Sequence, residues 1–79
     1  MASDLYRAMA TFAKVIDYGS FAAAARGIGI TRSAVSQQIS HLERQVGTTL
    51  INRSTRSLSL TEAGDAFYRE CVVISQAAD

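Results

Sequence analysis

The sequence predicts a small, mainly α-helical domain that contains one short β-hairpin. Four segments carry apolar residues at helical spacing, and glycine, serine and threonine stand between them where helices end and begin. Thr48 to Leu60 is different, because short apolar runs there flank a polar stretch. The 79 residues suit one domain with a single core, since two cores of half that size would each be too small to be stable.

The first two helices are predicted from periodicity and from the residues that separate them. Asp4 to Tyr18 has apolar residues at helical spacing, with Asp4 near the positive end of the helix dipole. Gly19 supplies a residue that commonly ends a helix, and Ser20 is a favoured N-cap. The second helix follows at once as FAAAARGI, whose alanines allow a neighbouring helix to approach closely and also favour helix formation.

The central helix, predicted over residues 31–46, separates apolar from polar residues. Its apolar stripe consists of Val35, Ile39, Leu42 and Val46. The opposite side carries Arg32, Ser33, Ser36, Gln37, Ser40 and Arg44. Gly29 permits a tight turn before it, Thr31 can cap it, and Ile30 can pack on Val35. Two short helices joined by such a turn form a helix-turn-helix, although other small helical bundles use the same turn.

The segment after Gly47 predicts a two-stranded hairpin with a basic tip. Arg53 and Arg56 flank that tip, near residues 53–57. A basic hairpin beside a helix-turn-helix is a wing, which can follow a phosphate backbone or enter a minor groove. An irregular loop pinned by its leucines, with arginines that serve no function, would have the same sequence pattern.

A last helix is predicted from Thr61, which can cap it, to Asp79. Its apolar residues cover more than one face, and a monomer of this size can bury only part of them. The surplus predicts pairing with the same helix of a second copy, and the residues expected to pair are Phe67, Cys71, Val73 and Ile74. The alternative is that another part of a longer protein covers this surface.

Charge is distributed unevenly although the net charge is only +1. Residues 26–56 hold five arginines against Glu43 alone, a net charge of +4, and the flanks hold three basic against six acidic residues, a net charge of −3. A basic middle segment is expected of a surface that binds a polyanion, because arginines that neutralise phosphates release counterions. A chance cluster of solvated arginines would give the same asymmetry.

Several functional classes find no support in the sequence. A single cysteine, Cys71, excludes an internal disulfide and argues against a cysteine metal site, so no metal or cofactor is expected. No apolar run reaches the length of a membrane span and no export signal is visible, which favours the cytoplasm. His41 has no catalytic partners at recognisable spacing, so no enzyme is expected. A protein-interaction module that uses only the last helix remains the alternative to nucleic-acid binding.

Four motifs together resemble the N-terminal DNA-binding domain of LysR-type transcriptional regulators. They are GSFAAAA (19–25), TRSAVSQQISHLE (31–43), GTTLINR (47–53) and LTEAG (60–64). The resemblance implies a winged helix-turn-helix over residues 1–60, with a three-helix core and a short two-stranded wing. It also implies a linker and dimerisation helix over residues 61–79. The expected partner is double-stranded DNA in a bacterial cytoplasm, and the effector-sensing domain of a longer parent protein is expected to be absent.

The same resemblance implies which residues contact DNA. The family's base-reading positions match Arg32, Ser33, Ser36 and Gln37, Thr31 occupies the capping position near a phosphate, and Ser40 approaches the backbone. The wing position matches Arg56, with Arg53 at the end of the preceding motif. Arg32 stands where glutamine is frequent, which moves the expected base from adenine toward guanine. Ile51 stands where phenylalanine is frequent, which affects packing under the wing.

Overall fold

The computed structural model describes residues 2–53 and 58–78, and within them it contains four α-helices and one antiparallel hairpin. In chain order these are α1 (Ala2–Tyr18), α2 (Phe21–Ile28), α3 (Arg32–Val46), β1 (Ile51–Asn52), β2 (Ser59–Leu60) and α4 (Glu62–Ala78). The predicted helices and the predicted hairpin are confirmed. The first helix begins at Ala2, two residues earlier than predicted.

The turn between α2 and α3 is built as the sequence predicts. Gly29 adopts a φ of 88°, in the left-handed region that favours glycine, and its N–H donates to the Ala25 carbonyl at 2.8 Å. Thr31 then caps α3, because its hydroxyl oxygen accepts from the Ala34 N–H at 3.0 Å. The direction of α3 relative to α2 is therefore set by local backbone chemistry.

The core lies where α1, α2 and α3 meet. Its fully buried large side chains are Phe12, Val15, Val35, Ile39, Leu42, Leu50 and Ile51. The apolar stripe predicted on α3 is one residue too long, because Val46 is 40% exposed. Val46 has the same angular position as the rest of the stripe, so its exposure results from its place at the end of α3, beyond the residues that cover the other three. Val35, Ile39 and Leu42 form the buried α3 stripe.

The hairpin pairs Ile51 with Leu60 and Asn52 with Ser59. Ile51 is buried and Leu58 and Leu60 pack against the core, so one face of the short hairpin belongs to the hydrophobic core. This arrangement confirms the hairpin in preference to an irregular loop. The predicted tip, residues 54–57 with Arg56, lies outside the described residues.

Helix α4 begins in close contact with Thr49 and Leu50, the residues just before β1. The Thr61 hydroxyl donates to the Thr49 carbonyl at 2.7 Å, and its oxygen accepts from the Gly64 N–H at 2.9 Å. A Cβ atom added to Gly64 would overlap the Leu50 carbonyl oxygen. The absence of a side chain at residue 64 is therefore what allows the backbone of α4 to lie against the backbone of Leu50.

The first half of α4 contributes to the core of its own chain. The ring of Phe67 packs edge-to-face on Phe12, with ring centroids 5.7 Å apart, and Cys71 is buried. Val73 is 62% exposed, and the side chain of Ile74 lies outside the described residues. Of the four residues predicted to pair two subunits, Phe67 and Cys71 are thus in contact with residues of the same chain, whereas Val73 faces outward.

No helix among residues 2–53 and 58–78 combines the length and the apolar character that crossing a membrane requires. In the same part of the chain, no three histidine, cysteine, aspartate or glutamate side chains are close enough together to bind a metal ion.

Gly64→Ala is expected to lower the free energy of unfolding by about 1 to 3 kcal/mol, because the new methyl group meets a backbone carbonyl that cannot move independently. The matched control is Gly27→Ala, another alanine introduced into a helix. Its Cβ would meet only the tip of the exposed Tyr18 ring, which can rotate away, so a gain of up to about 1 kcal/mol in helix propensity is expected. Urea denaturation measures both, and equal midpoints for Gly64→Ala and the unmutated chain would contradict the predicted contact.

Cys71 is expected to react slowly with thiol reagents while the chain is folded. Burial, and to a smaller extent the charge of Glu70, raise the pKa of the Cys71 thiol from 9.0 to about 11. The folded state favours the protonated thiol, so the difference in pKa between the folded and unfolded chain stabilises the fold. This stabilisation is complete below pH 9 and is lost as the pH rises from 9 to 11. Alkylation followed by mass spectrometry at pH 8 should show slow labelling that accelerates strongly in urea. Equal labelling rates with and without urea would contradict the burial of Cys71.

Candidate nucleic-acid interface

The first two turns of α3 expose a polar face. Arg32, Ser33 and Gln37 are exposed, and Ser36 is half-buried beside them. The α3 stripe on the opposite side has no exposed surface. Because rotation of the helix would bring the stripe into water, burial of the stripe fixes the direction in which the polar face points.

Thr31 lies at the N-terminal end of this face. Its hydroxyl oxygen accepts from the Ala34 N–H, which leaves the hydroxyl proton available to a second acceptor. The N-terminus of an α-helix carries a partial positive charge from its peptide dipoles, so an acceptor that bears negative charge is favoured there. The geometry at Thr31 is thus suited to a phosphate oxygen, as the resemblance implies.

Arg53 lies across α3 and is held by several contacts. Its Nη1 donates to the hydroxyl oxygens of Ser36, at 3.4 Å, and Ser40, at 3.3 Å. Its Nη2 donates to Glu43 Oε1 at 3.3 Å, and the guanidinium carbon lies 5.2 Å from the centre of the Phe21 ring. Three predicted contact residues, Ser36, Ser40 and Arg53, are therefore brought together, at the foot of the hairpin.

Glu43 holds this arrangement in place and was not among the residues predicted for the site. Its Oε2 accepts from the N–H groups of Leu50, at 2.8 Å, and Ile51, at 3.2 Å, while Oε1 pairs with Arg53. In the sequence, Glu43 stands out only as the single acid of the basic segment. The position of Glu43 in the last turn of α3 is nevertheless a signal for this role. An acid close to the negative C-terminal end of a helix is unfavourable unless specific donors surround it.

The remaining predicted residues fall into two groups. Ser40 is half-buried one turn beyond Ser36, and Arg44 is exposed near the end of α3, so both follow the polar face away from its N-terminal end. Arg56 lies outside the described residues. The described structure thus places every predicted base-reading residue on one face of one helix, and leaves the wing contact as a prediction.

A shallow groove borders the polar face on the side of α1. It is lined by Arg7, Ala8, Ala34, Gln37, Gln38 and His41. Gln38 is fixed there because its side-chain oxygen accepts from the hydroxyl of the buried Thr11. Among these lining residues there is no acid, so the groove continues the surface that an anion can approach.

The family model described as "Bacterial regulatory helix-turn-helix protein, lysR family" matches residues 6–65. The chain belongs to this family. The match spans α1, the helix-turn-helix, the hairpin and the first residues of α4. Both the resemblance seen in the four motifs and the predicted winged helix-turn-helix fold are confirmed.

Curated relatives of the lysR-family chain are named as transcriptional regulators. An HTH-type transcriptional repressor of Pseudomonas aeruginosa (strain UCBPP-PA14) is 49% identical over 76 residues, which are 96% of this chain and 24% of the relative. The HTH-type transcriptional activator AaeR of Escherichia coli (strain K12) is 51% identical over 63 residues, which are 80% of this chain and 20% of the relative. The chain therefore spans about a quarter or less of these two relatives.

Solved structures of the family have the same fold. The complex of the BenM DBD with catB site 1 DNA matches with a TM-score of 0.90 and 30% identity, over 94% of this chain and 82% of that one. Full-length LysG from Corynebacterium glutamicum matches with a TM-score of 0.79 and 36% identity, over 92% of this chain and 26% of that one. The arrangement of helices and hairpin is thus shared with a protein that was crystallised on DNA.

Proposed function

We propose that this chain is the sequence-specific, double-stranded DNA-binding domain of a bacterial transcriptional regulator. The observation that carries the proposal is the acid-free polar face at the start of α3, held outward by the buried α3 stripe. The similarity to the BenM complex with DNA supports it independently, because that protein has the same fold and is bound to DNA. The relatives are named as regulators and not as enzymes, so the proposed activity is binding without catalysis.

The dimensions of α3 suit insertion into the major groove. Its 15 residues extend about 22 Å, and the major groove of B-DNA is about 12 Å wide, enough to admit one α-helix. Since the helix enters at an angle, only its first two turns approach the base edges. The proposed base-reading residues are Arg32, Ser33, Ser36 and Gln37, while Thr31 and Ser40 approach the phosphate backbone.

The side chains at these positions have recognisable base preferences. A guanidinium such as that of Arg32 binds the O6 and N7 atoms of guanine, and a glutamine amide such as that of Gln37 binds N6 and N7 of adenine. Arg56 in the wing is proposed to contact the neighbouring backbone or minor groove, supported by the basic composition near residues 53–57. Because bacterial chromosomal DNA is cytoplasmic, the proposal locates the protein there.

We further propose that two chains pair through α4, so that residues 1–60 form the DNA-reading unit and residues 61–79 the linker and dimerisation helix. Phe67 and Cys71 support the pairing only indirectly, because they fix α4 on the core of its own chain. The exposed Val73 is the described residue that supports direct contact between subunits. Two copies related by a two-fold axis would read two half-sites of an approximately palindromic operator.

Arg32→Ala is expected to weaken binding to the preferred site by about 1 to 3 kcal/mol and to relax base choice at one position, because a bidentate contact to a base is lost. Selection from a random DNA pool identifies the preferred site, and fluorescence anisotropy measures affinity for that site and for random DNA. The matched control is Arg69→Ala, which removes the same charge from α4, where Arg69 already pairs with Asp65 at 2.7 Å. Equal losses on preferred and random DNA would show that Arg32 contacts phosphate only.

Val73→Asp is expected to shift the chain from dimer toward monomer, because a charge at an apolar interface is costly to desolvate. Sedimentation equilibrium at increasing concentration measures the change. Tyr18→Asp is the control, since it places an acid at another exposed apolar position, on α1, and should leave the dimer intact. An unmutated chain that remains monomeric at high concentration would overturn the claim that this segment is sufficient for pairing.

A further inference from the structure

The contacts of Arg53 suggest a role that differs from the direct DNA contact expected from the sequence. We infer that Arg53 is a positioning residue, which holds the Ser36 and Ser40 hydroxyl groups so that they donate hydrogen bonds to DNA, and that Arg53 does not itself neutralise a phosphate. The inference rests on the proposed DNA-binding function and assigns the chemistry of one part of that site.

The guanidinium of Arg53 meets three side chains of α3. Ser36, Ser40 and Glu43 are spaced by four and three residues, so their side chains lie on one face of α3. One guanidinium reaches all three, with distances of 3.3 to 3.4 Å, and its carbon also lies 5.2 Å from the Phe21 ring centre. Each hydrogen bond is long and therefore weak. Four simultaneous contacts nevertheless fix the plane of the guanidinium on this face.

The contacts with Arg53 determine the direction of the serine protons. A guanidinium contains donors only, so each serine oxygen that meets Arg53 must act as the acceptor in that contact. A hydroxyl group has a single proton, and an accepting hydroxyl directs that proton elsewhere. Within residues 2–53 and 58–78, neither the Ser36 nor the Ser40 hydroxyl donates to a protein acceptor. Arg53 thus leaves both hydroxyl groups as donors toward whatever occupies the groove.

The positive charge of Arg53 is paired with the carboxylate of Glu43. Glu43 lies within 3.3 Å of the Arg53 guanidinium and its side chain is 17% exposed, against 37% for Arg53. Because its charge is already paired and its Nη1 and Nη2 already donate to Ser36, Ser40 and Glu43, Arg53 gains less from a phosphate than a free arginine would. An arginine that stays in this arrangement releases no counterion of its own when DNA binds.

A donor at Ser36 has a defined consequence for base choice. Guanine offers O6 and N7, adenine N7 and thymine O4 as acceptors in the major groove, whereas cytosine offers the N4 amino group as a donor. With one of its two lone pairs occupied by Arg53, the Ser36 hydroxyl presents its proton in preference to its remaining lone pair, and so favours guanine, adenine or thymine over cytosine at the position that it reads. Loss of Arg53 frees the hydroxyl to rotate and to accept instead, and this discrimination should disappear.

The test measures two quantities for the 79-residue chain and its Arg53→Ala, Ser36→Ala and doubly substituted variants. The first is base preference, by selection from a random DNA pool. The second is the slope of the logarithm of affinity against the logarithm of salt concentration, by anisotropy. Arg53→Ala is expected to lower specific affinity about tenfold, to abolish discrimination against cytosine and to leave the salt slope unchanged. Ser36→Ala should abolish the same discrimination, and the double variant should lose little more than either single one.

Other results would overturn the inference. A salt slope that becomes shallower by about 0.9 in Arg53→Ala, with base preference retained, would identify Arg53 as a phosphate contact. Additive losses of affinity in the double variant would show that Arg53 and Ser36 act independently. An unmutated chain that selects no sequence would instead refute the proposed function itself, so the two failures are distinguishable.

Arg53→Lys provides the test if Arg53→Ala does not fold. Lysine keeps the charge and can still pair with Glu43, but a single ammonium cannot present the planar fork that reaches both serines and the carboxylate. Circular dichroism establishes that the variant is folded. The expected result is an unchanged salt slope with weakened discrimination against cytosine, and full retention of that discrimination would overturn the positioning role.

Discussion

The carboxylate of Glu43 is the interaction on which the arrangement of hairpin, helix and interface depends. Both of its oxygens are used, one by the N–H groups of Leu50 and Ile51 and the other by Arg53. An acid near the C-terminal end of a helix opposes the helix dipole, and these three donors offset that cost. The backbone just before β1 is fixed in this way, and its Leu50 carbonyl accepts from the Thr61 N–H at 3.0 Å where α4 begins. One side chain of α3 thereby connects the polar face to the hairpin and, through Leu50, to α4.

Local signals explain why most of the fold could be predicted from the sequence. A cap such as Ser20 or Thr31 bonds to an N–H three residues away, so the evidence for it is contained in a short segment. The contacts of Glu43 and Arg53 could not be predicted in the same way, because their hydrogen-bond partners lie 7 to 17 residues distant. Which donors surround a side chain at that separation depends on how the helices and the hairpin pack, and periodicity carries no information about that.

Helix α4 is a second case in which periodicity does not determine the contacts. Its apolar residues predict more buried area than one helix face provides, but periodicity does not say which face meets its own core and which meets a partner. The structure assigns Phe67 to the core through Phe12, and joins α1 to α4 a second time through the Tyr68 hydroxyl, which donates to Asp17. That bond raises the pKa of Tyr68, since ionisation would remove the donated proton. The apolar surface of α4 that its own chain leaves uncovered is accordingly narrower than the pattern indicates, and Val73 lies on it.

Packing also separates arginines that composition alone treats as one group. The basic segment has five arginines, but Arg53 is neutralised by Glu43, whereas Arg32 and Arg44 are exposed at opposite ends of α3. Between them Ser33, Ser36, Gln37 and Ser40 are uncharged, and the three serines keep their polar atoms near the helix backbone. Short side chains reach a base edge only if the helix lies deep in the groove, and an uncharged face can do so without desolvating a free charge. Substitutions in the first two turns of α3, including Arg32, should accordingly change base choice, whereas substitution of the exposed Arg44 should change the dependence on salt.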